Sequence, residues 1–168
     1  DLSPDERLAK AAELASKYVT MGSRVESRHD KAEYIVYKII KKSRNFIPTM
    51  SNTSGVDFFV NGRGWDLKTT DSPTRVFKEK HPDWRQAAID NPEEVARDLY
   101  QEQGSDRFTD TPRLFIIDSG KLPDESSREK ALEEALENVS PIPIDFEYKH
   151  KGEKEKRQHS TSAMVIVL

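Results

Sequence analysis

Near the middle of the chain, two short strand-like runs flank an Asn61-Gly62 pair, in Gly55-Val-Asp57-Phe-Phe-Val-Asn61-Gly62-Arg63-Gly-Trp-Asp66-Leu67-Lys68-Thr69-Thr70. Asn-Gly between alternating apolar residues is the strongest short-range hairpin signal, because both turn positions need a left-handed backbone that Asn and Gly adopt at little cost. A two-residue turn places Val60 opposite Arg63 and Asp57 opposite Asp66. A four-residue loop from Asn61 to Gly64 shifts the register by two and sets Asp57 against Lys68. In both registers Asp57, Asp66 and Lys68 share one face. Val56, Phe58, Val60, Trp65 and Leu67 fill the other, which is the natural core side.

Like charges facing each other across a strand pair cost a few tenths to about 1 kcal/mol, so a close Asp57/Asp66 pair calls for a cation. Two sources are open. One is a bound Mg²⁺, which prefers one or two carboxylates completed by water and phosphate oxygens. The other is Lys68 itself, in an Asp-Lys ion pair on a solvated hairpin.

The 168 residues suffice for one domain with a substantial core, and the expectation is a single unit over 1–168. A net charge of −3 with 34% charged residues gives no basic excess, so overall charge neither supports nor excludes a nucleic acid partner. The absence of cysteine removes disulfides, thiolate metal sites and cysteine nucleophiles. No apolar run approaches the roughly 20 residues that span a bilayer, and no signal peptide precedes Asp1, which leads to the expectation of an intracellular, cytoplasmic protein with no membrane partner.

Two helices are expected in the first 44 residues, opened by capping boxes at Ser3-Pro4-Asp5-Glu6 and Ser23-Arg24-Val25-Glu26 and separated at Gly22. A short strand around Phe46 to Met50 and the hairpin follow. Asp71 to Trp84, with Pro73, Pro82 and many charges, reads as a loop. Asn91-Pro92-Glu93-Glu94 opens a helix that runs to Gln103. Arg113 to Asp118 suits a central strand covered on both faces. Ser126 to Glu129 opens a helix with Ala131, Leu132, Ala135, Leu136 and Val139 inward. Ile144 to Tyr148 alternates as a strand, Lys149 to His159 reads as a charged connection, and Ser162 to Leu168 as a final strand. This order predicts an α/β (α+β) fold with a mixed sheet flanked by helices.

An Asp on one strand, Asp66-Leu67-Lys68 on its neighbour, a Glu-bearing helix before them and a helix-strand unit after them resemble the PD-(D/E)XK nuclease superfamily, and within it the type II restriction endonucleases. Thr69-Thr70 extends the likeness. Gly55-Val56 stands where a proline would precede the first aspartate. The resemblance spans about residues 23 to 118, with motif identity confined to 55–70. It implies a restriction-endonuclease-like sheet core, with residues 1–22 as a helix packed on the nuclease domain, and a prokaryotic source. It implies a Mg²⁺-dependent DNA endonuclease, with Mn²⁺ as a substitute and a homodimer where both strands are cut; a repair, homing, junction-resolving or toxin nuclease shares the same motif and is the alternative within this chemistry. Asp57, Asp66 and the Leu67 carbonyl would hold the metal, and Lys68 would orient water or stabilise phosphoryl charge.

A further acid from the preceding helix often completes such a site. Among Glu26, Asp30 and Glu33, Glu33 is preferred because Glu26 already serves the capping box; its alternative role is an exposed acid paired with Lys31 or Lys38. Arg63, Thr69, Thr70 and Arg75 are the expected DNA contacts, with Lys78, Lys80 and Arg85 nearby, and the basic face of the second helix offers further phosphate contacts. His29, His81, His150 and His159 lack metal-ligand spacing and read as incidental. Two other classes compete: a binding module with a degenerate site, and a two-carboxylate glycosidase, which would leave Lys68 without a role.

Overall fold

The computed structural model describes residues 5, 6, 9, 46–49, 55–70, 73–103, 110–118 and 121–168. Asp5, Glu6 and Ala9 are helical. The rest of the two expected N-terminal helices, with Glu26, Asp30 and Glu33 and the packing of residues 1–22, lies outside the described residues.

The described elements are β1 (Phe46–Pro48), β2 (Phe58–Val60), β3 (Arg63–Thr70), α1 (Arg75–Lys80), α2 (Trp84–Asp90), α3 (Pro92–Gln103), β4 (Arg113–Ile117), α4 (Glu125–Asn138), β5 (Ile142–Tyr148) and β6 (Arg157–Val167). The strands form one six-stranded sheet in the order β1-β2-β3-β4-β6-β5. β3, β4 and β6 run parallel, while β1-β2, β2-β3 and β5-β6 pair antiparallel. A parallel neighbour requires a crossover, and α1 to α3 provide it between β3 and β4. The expected mixed sheet between helices is therefore present.

Two apolar cores cover the two sheet faces. Phe58, Trp65, Leu67, Leu114, Ile116, Met164 and Ile166 meet Leu132 and Leu136 of α4 on one side. Phe115, Ile117, Ile144, Phe146 and Ala163 meet Phe77, Trp84, Val95, Leu99 and Tyr100 of α1 to α3 on the other. With both faces covered, β4 is buried at all five positions, as a central strand should be.

Three local expectations differ from the structure. Residues 71–84 are not all loop, because Thr74 caps α1 by accepting from the Phe77 N–H, and Phe77 anchors this one and a half turns in the core. Helix α4 is capped by Asp124, whose carboxylate accepts from Ser127 N–H at 2.8 Å, rather than by Ser126. The charged segment 149–159 is a connection only in part. It turns at Gly152 (φ +88) and becomes strand from Arg157, where side chains on the solvated face of a hairpin can stay charged.

Candidate active site

The hairpin makes the tight turn. Asn61 (φ 50) and Gly62 (φ 78) are both left-handed, and Val60 pairs with Arg63 and Phe58 with Trp65. The four-residue loop is thereby excluded. Beyond Phe58 the regular pairing ends, and Asp57 N–H donates to the Trp65 carbonyl at 2.8 Å. Val56 departs from the alternation expected of it. A Cβ on Gly64 would come within 2.8 Å of Val56 Cγ1, so Val56 lies over Gly64 instead of joining Phe58 in the core.

Because β2 stops short, the next outward N–H of β3, that of Leu67, needs another acceptor. Asp57 supplies it through Oδ2 at 2.7 Å. The carboxylate thus takes the place of a strand carbonyl at the residue between Asp66 and Lys68, whose charges both act on it. Burial pushes the Asp57 carboxyl above the usual carboxylate range. The Leu67 N–H works against this, the Asp66 charge adds to it, and Lys68 opposes it.

Asp66 is buried on β3, and its N–H donates to the Pro112 carbonyl at 2.9 Å. Both of its carboxylate oxygens meet the Lys68 ammonium, at 3.0 and 2.9 Å. Lys68 itself is 38% exposed along its side chain, so the ammonium has room to move. A second cation approaches from β4. Arg113, aligned with Asp66 in the parallel register, places Nε 3.2 Å from Asp66 Oδ2 and is only 1% exposed. Its guanidinium lies over the Tyr100 ring, 4.7 Å from the centroid. The Tyr100 hydroxyl donates to the Thr111 and Ser162 carbonyls, both at 3.0 Å, and burial raises its pKa far above the ordinary phenol value.

The site therefore unites Asp57, Asp66 and Lys68, as expected, and adds Arg113. The only sequence hint of Arg113's role was a charge at the edge of a run otherwise fit for burial. Leu67 contributes its backbone N–H to Asp57 and its side chain to the core. Of the expected DNA contacts, Arg63 is exposed and donates to Ser162 Oγ at 3.2 Å, and Arg75 is exposed and paired with Glu79 at 2.7 Å. Thr69 is half-buried, and Thr70 is buried at the end of β3. Lys80 turns to Asp98 at 2.7 Å, and Arg85 to the Asp118 carbonyl at 3.2 Å. Glu33 lies outside the described residues.

The donor set suits a hard divalent cation. Two neighbouring carboxylates, one with its acidity weakened by burial and by the other's charge, gain most from an added positive charge.

Away from this site three of the histidines, His81, His150 and His159, make contacts that their spacing does not suggest, while His29 lies outside the described residues. His81 Nε2 bonds Asp98 Oδ2 at 2.5 Å, and one donor atom each from His81, Glu94 and Asp98 lie within 4.8 Å of one another. His159 bridges His150, Nε2 to Nε2 at 3.0 Å, and Asp110, Nδ1 to Oδ1 at 2.7 Å. These groupings cross between elements and leave no trace in linear spacing. Among the described residues, no helix is long and apolar enough to cross a membrane. No family model, curated protein or solved structure matches the chain.

Proposed function

We propose that this protein is a Mg²⁺-dependent endonuclease of the PD-(D/E)XK kind that hydrolyses DNA phosphodiester bonds in the manner of a type II restriction enzyme. The observation that carries the reading is the meeting of Asp57 and Asp66 beside the Lys68 ammonium. Asp57, Asp66 and the Leu67 carbonyl would hold the metal, with Mn²⁺ as a substitute. When bound, the metal supplies charge neutralisation for the scissile phosphate and acidifies an attacking water.

The protein's own groups do the rest. The Leu67 N–H fixes the Asp57 carboxylate, leaving its other oxygen for the site. Asp66 is held by Arg113 from the buried side and by Lys68 from the open side. Lys68, the more mobile cation, can leave Asp66 to orient water or to meet charge building on phosphoryl oxygens. Arg63, exposed at the start of β3, and Arg75, exposed at the start of α1, supply contacts to the flanking phosphates. Glu33 is the proposed additional acid, and a homodimer is the proposed form for cutting both strands.

One observation favours a rival. Asp66 already has two cations, which suits a binding module that needs no metal. Plasmid incubated with Mg²⁺ separates the two. The nuclease reading expects cleavage that is lost in Asp66→Asn and Lys68→Ala proteins of unchanged circular dichroism. Intact plasmid with the wild-type protein under both Mg²⁺ and Mn²⁺ would refute it.

A further inference from the structure

Arg113 changes how the site can take up a metal. With both carboxylates ionised, Asp57 and Asp66 are balanced by Lys68 and Arg113, so the site is formally neutral before any ion arrives. Lys68 is partly exposed and can withdraw, whereas Arg113 is 1% exposed, backed by the Tyr100 ring and held against Asp66 by the β3-β4 register. The Tyr100 ring is itself fixed, since its hydroxyl is tied to two backbone carbonyls. Arg113 therefore remains while the site works.

We propose that Arg113 is a positioning residue that locks the Asp66 carboxylate and suppresses divalent-ion binding to the empty site, so that metal loads together with an anionic phosphodiester. The proposal rests on the nuclease reading above. A divalent ion entering beside a fixed guanidinium meets repulsion at short range in a poorly screened setting. A phosphate supplies the missing negative charge, and metal and nucleic acid then favour each other's binding reciprocally. Arg113 faces only Oδ2 of Asp66, whereas Lys68 meets both oxygens, so withdrawal of Lys68 frees Oδ1 while the Arg113 charge stays beside Oδ2.

The test is calorimetric titration with Mn²⁺ alone, repeated with a short phosphorothioate DNA duplex present. The wild type is expected to bind Mn²⁺ at least tenfold more tightly with the duplex than without it. Arg113→Met, of similar volume and without charge, is expected to bind Mn²⁺ alone at least tenfold more tightly than the wild type. Arg113→Gln removes the charge but keeps a polar side chain and is expected to shift the same way, so the test survives if the methionine protein does not fold. A residue that merely filled space would not strengthen metal binding on removal. Wild-type Mn²⁺ binding that depends on Asp57 but is unchanged or weaker in both variants overturns the proposal and leaves the nuclease reading standing. No Mn²⁺ binding in any protein, with or without duplex, overturns both.

Discussion

Arg113 lies alongside Asp66 on the adjacent parallel strand, its Nε 3.2 Å from Oδ2, and both side chains are almost wholly shielded from water. A buried ion pair gains little over an apolar pair of the same volume, but breaking it leaves one charge stranded.

Replacing Arg113 with Met strands the Asp66 carboxylate with Lys68 alone, and denaturant unfolding should show a loss of about 3 kcal/mol. Asp66→Asn paired with Arg113→Met should recover part of that loss, because neither charge then remains buried. If the double variant's loss equalled the sum of the two single losses, the two side chains would not be coupled.

Asp57→Asn should stabilise the protein at neutral pH, by less than about 1 kcal/mol. The folded-state pKa of Asp57 lies above the ordinary 3.8 of an aspartate, chiefly through burial, so the folded state binds the proton more tightly than the unfolded chain does. Its favourable contribution is complete below 3.8 and disappears as pH rises through the folded-state pKa. Asn, which cannot ionise and can still accept from Leu67 N–H, escapes that loss. The variant's advantage should therefore fade as pH falls toward 3.8, and thermal melts between pH 3 and 8 would reveal the trend.

Gly62→Ala should cost about 1 kcal/mol, because a Cβ at φ +78 is strained although no neighbouring atom obstructs it. Gly64→Ala fails for the opposite reason. Its φ is unremarkable, but the new Cβ would press on Val56 Cγ1 at 2.8 Å. If activity is measurable, Gly64→Ala should lower it more than Gly62→Ala at equal stability, since Val56 leads directly into Asp57.

Asp98 ties α1 to α3 through Lys80 at 2.7 Å and His81 at 2.5 Å, both at the end of a helix of six residues. Asp98→Asn should lose about 1 to 3 kcal/mol. Hydrogen exchange should quicken most at the α1 amides. Uniform acceleration across β4 as well would mean that the contact is global rather than a local fastening.

What could be read from the chain depended on how local the cause was. Asn61-Gly62 determines its own turn, and strand parity then carries Asp66 and Lys68 to one face without reference to the rest of the molecule. The all-apolar run after Arg113 likewise announced a strand covered on both sides. Arg113 itself was not legible as a site residue, because its meeting with Asp66 depends on the parallel register across a three-helix crossover, which no local pattern encodes. The six residues of α1 are too few to show helical periodicity, and Phe77 alone betrays their buried side. Val56 was misplaced because alternation assumes a regular strand, and regular pairing ends at Phe58.

The separation of Asp66 and Arg113 by the whole α1 to α3 crossover has a consequence for biosynthesis. A ribosome-bound or clipped chain that ends before β4 would carry the hairpin and its acidic pair, yet lack the guanidinium that restrains them. Such a nascent piece would hold Asp66 by Lys68 alone, so the two-cation balance of the acidic pair awaits the arrival of the later strand.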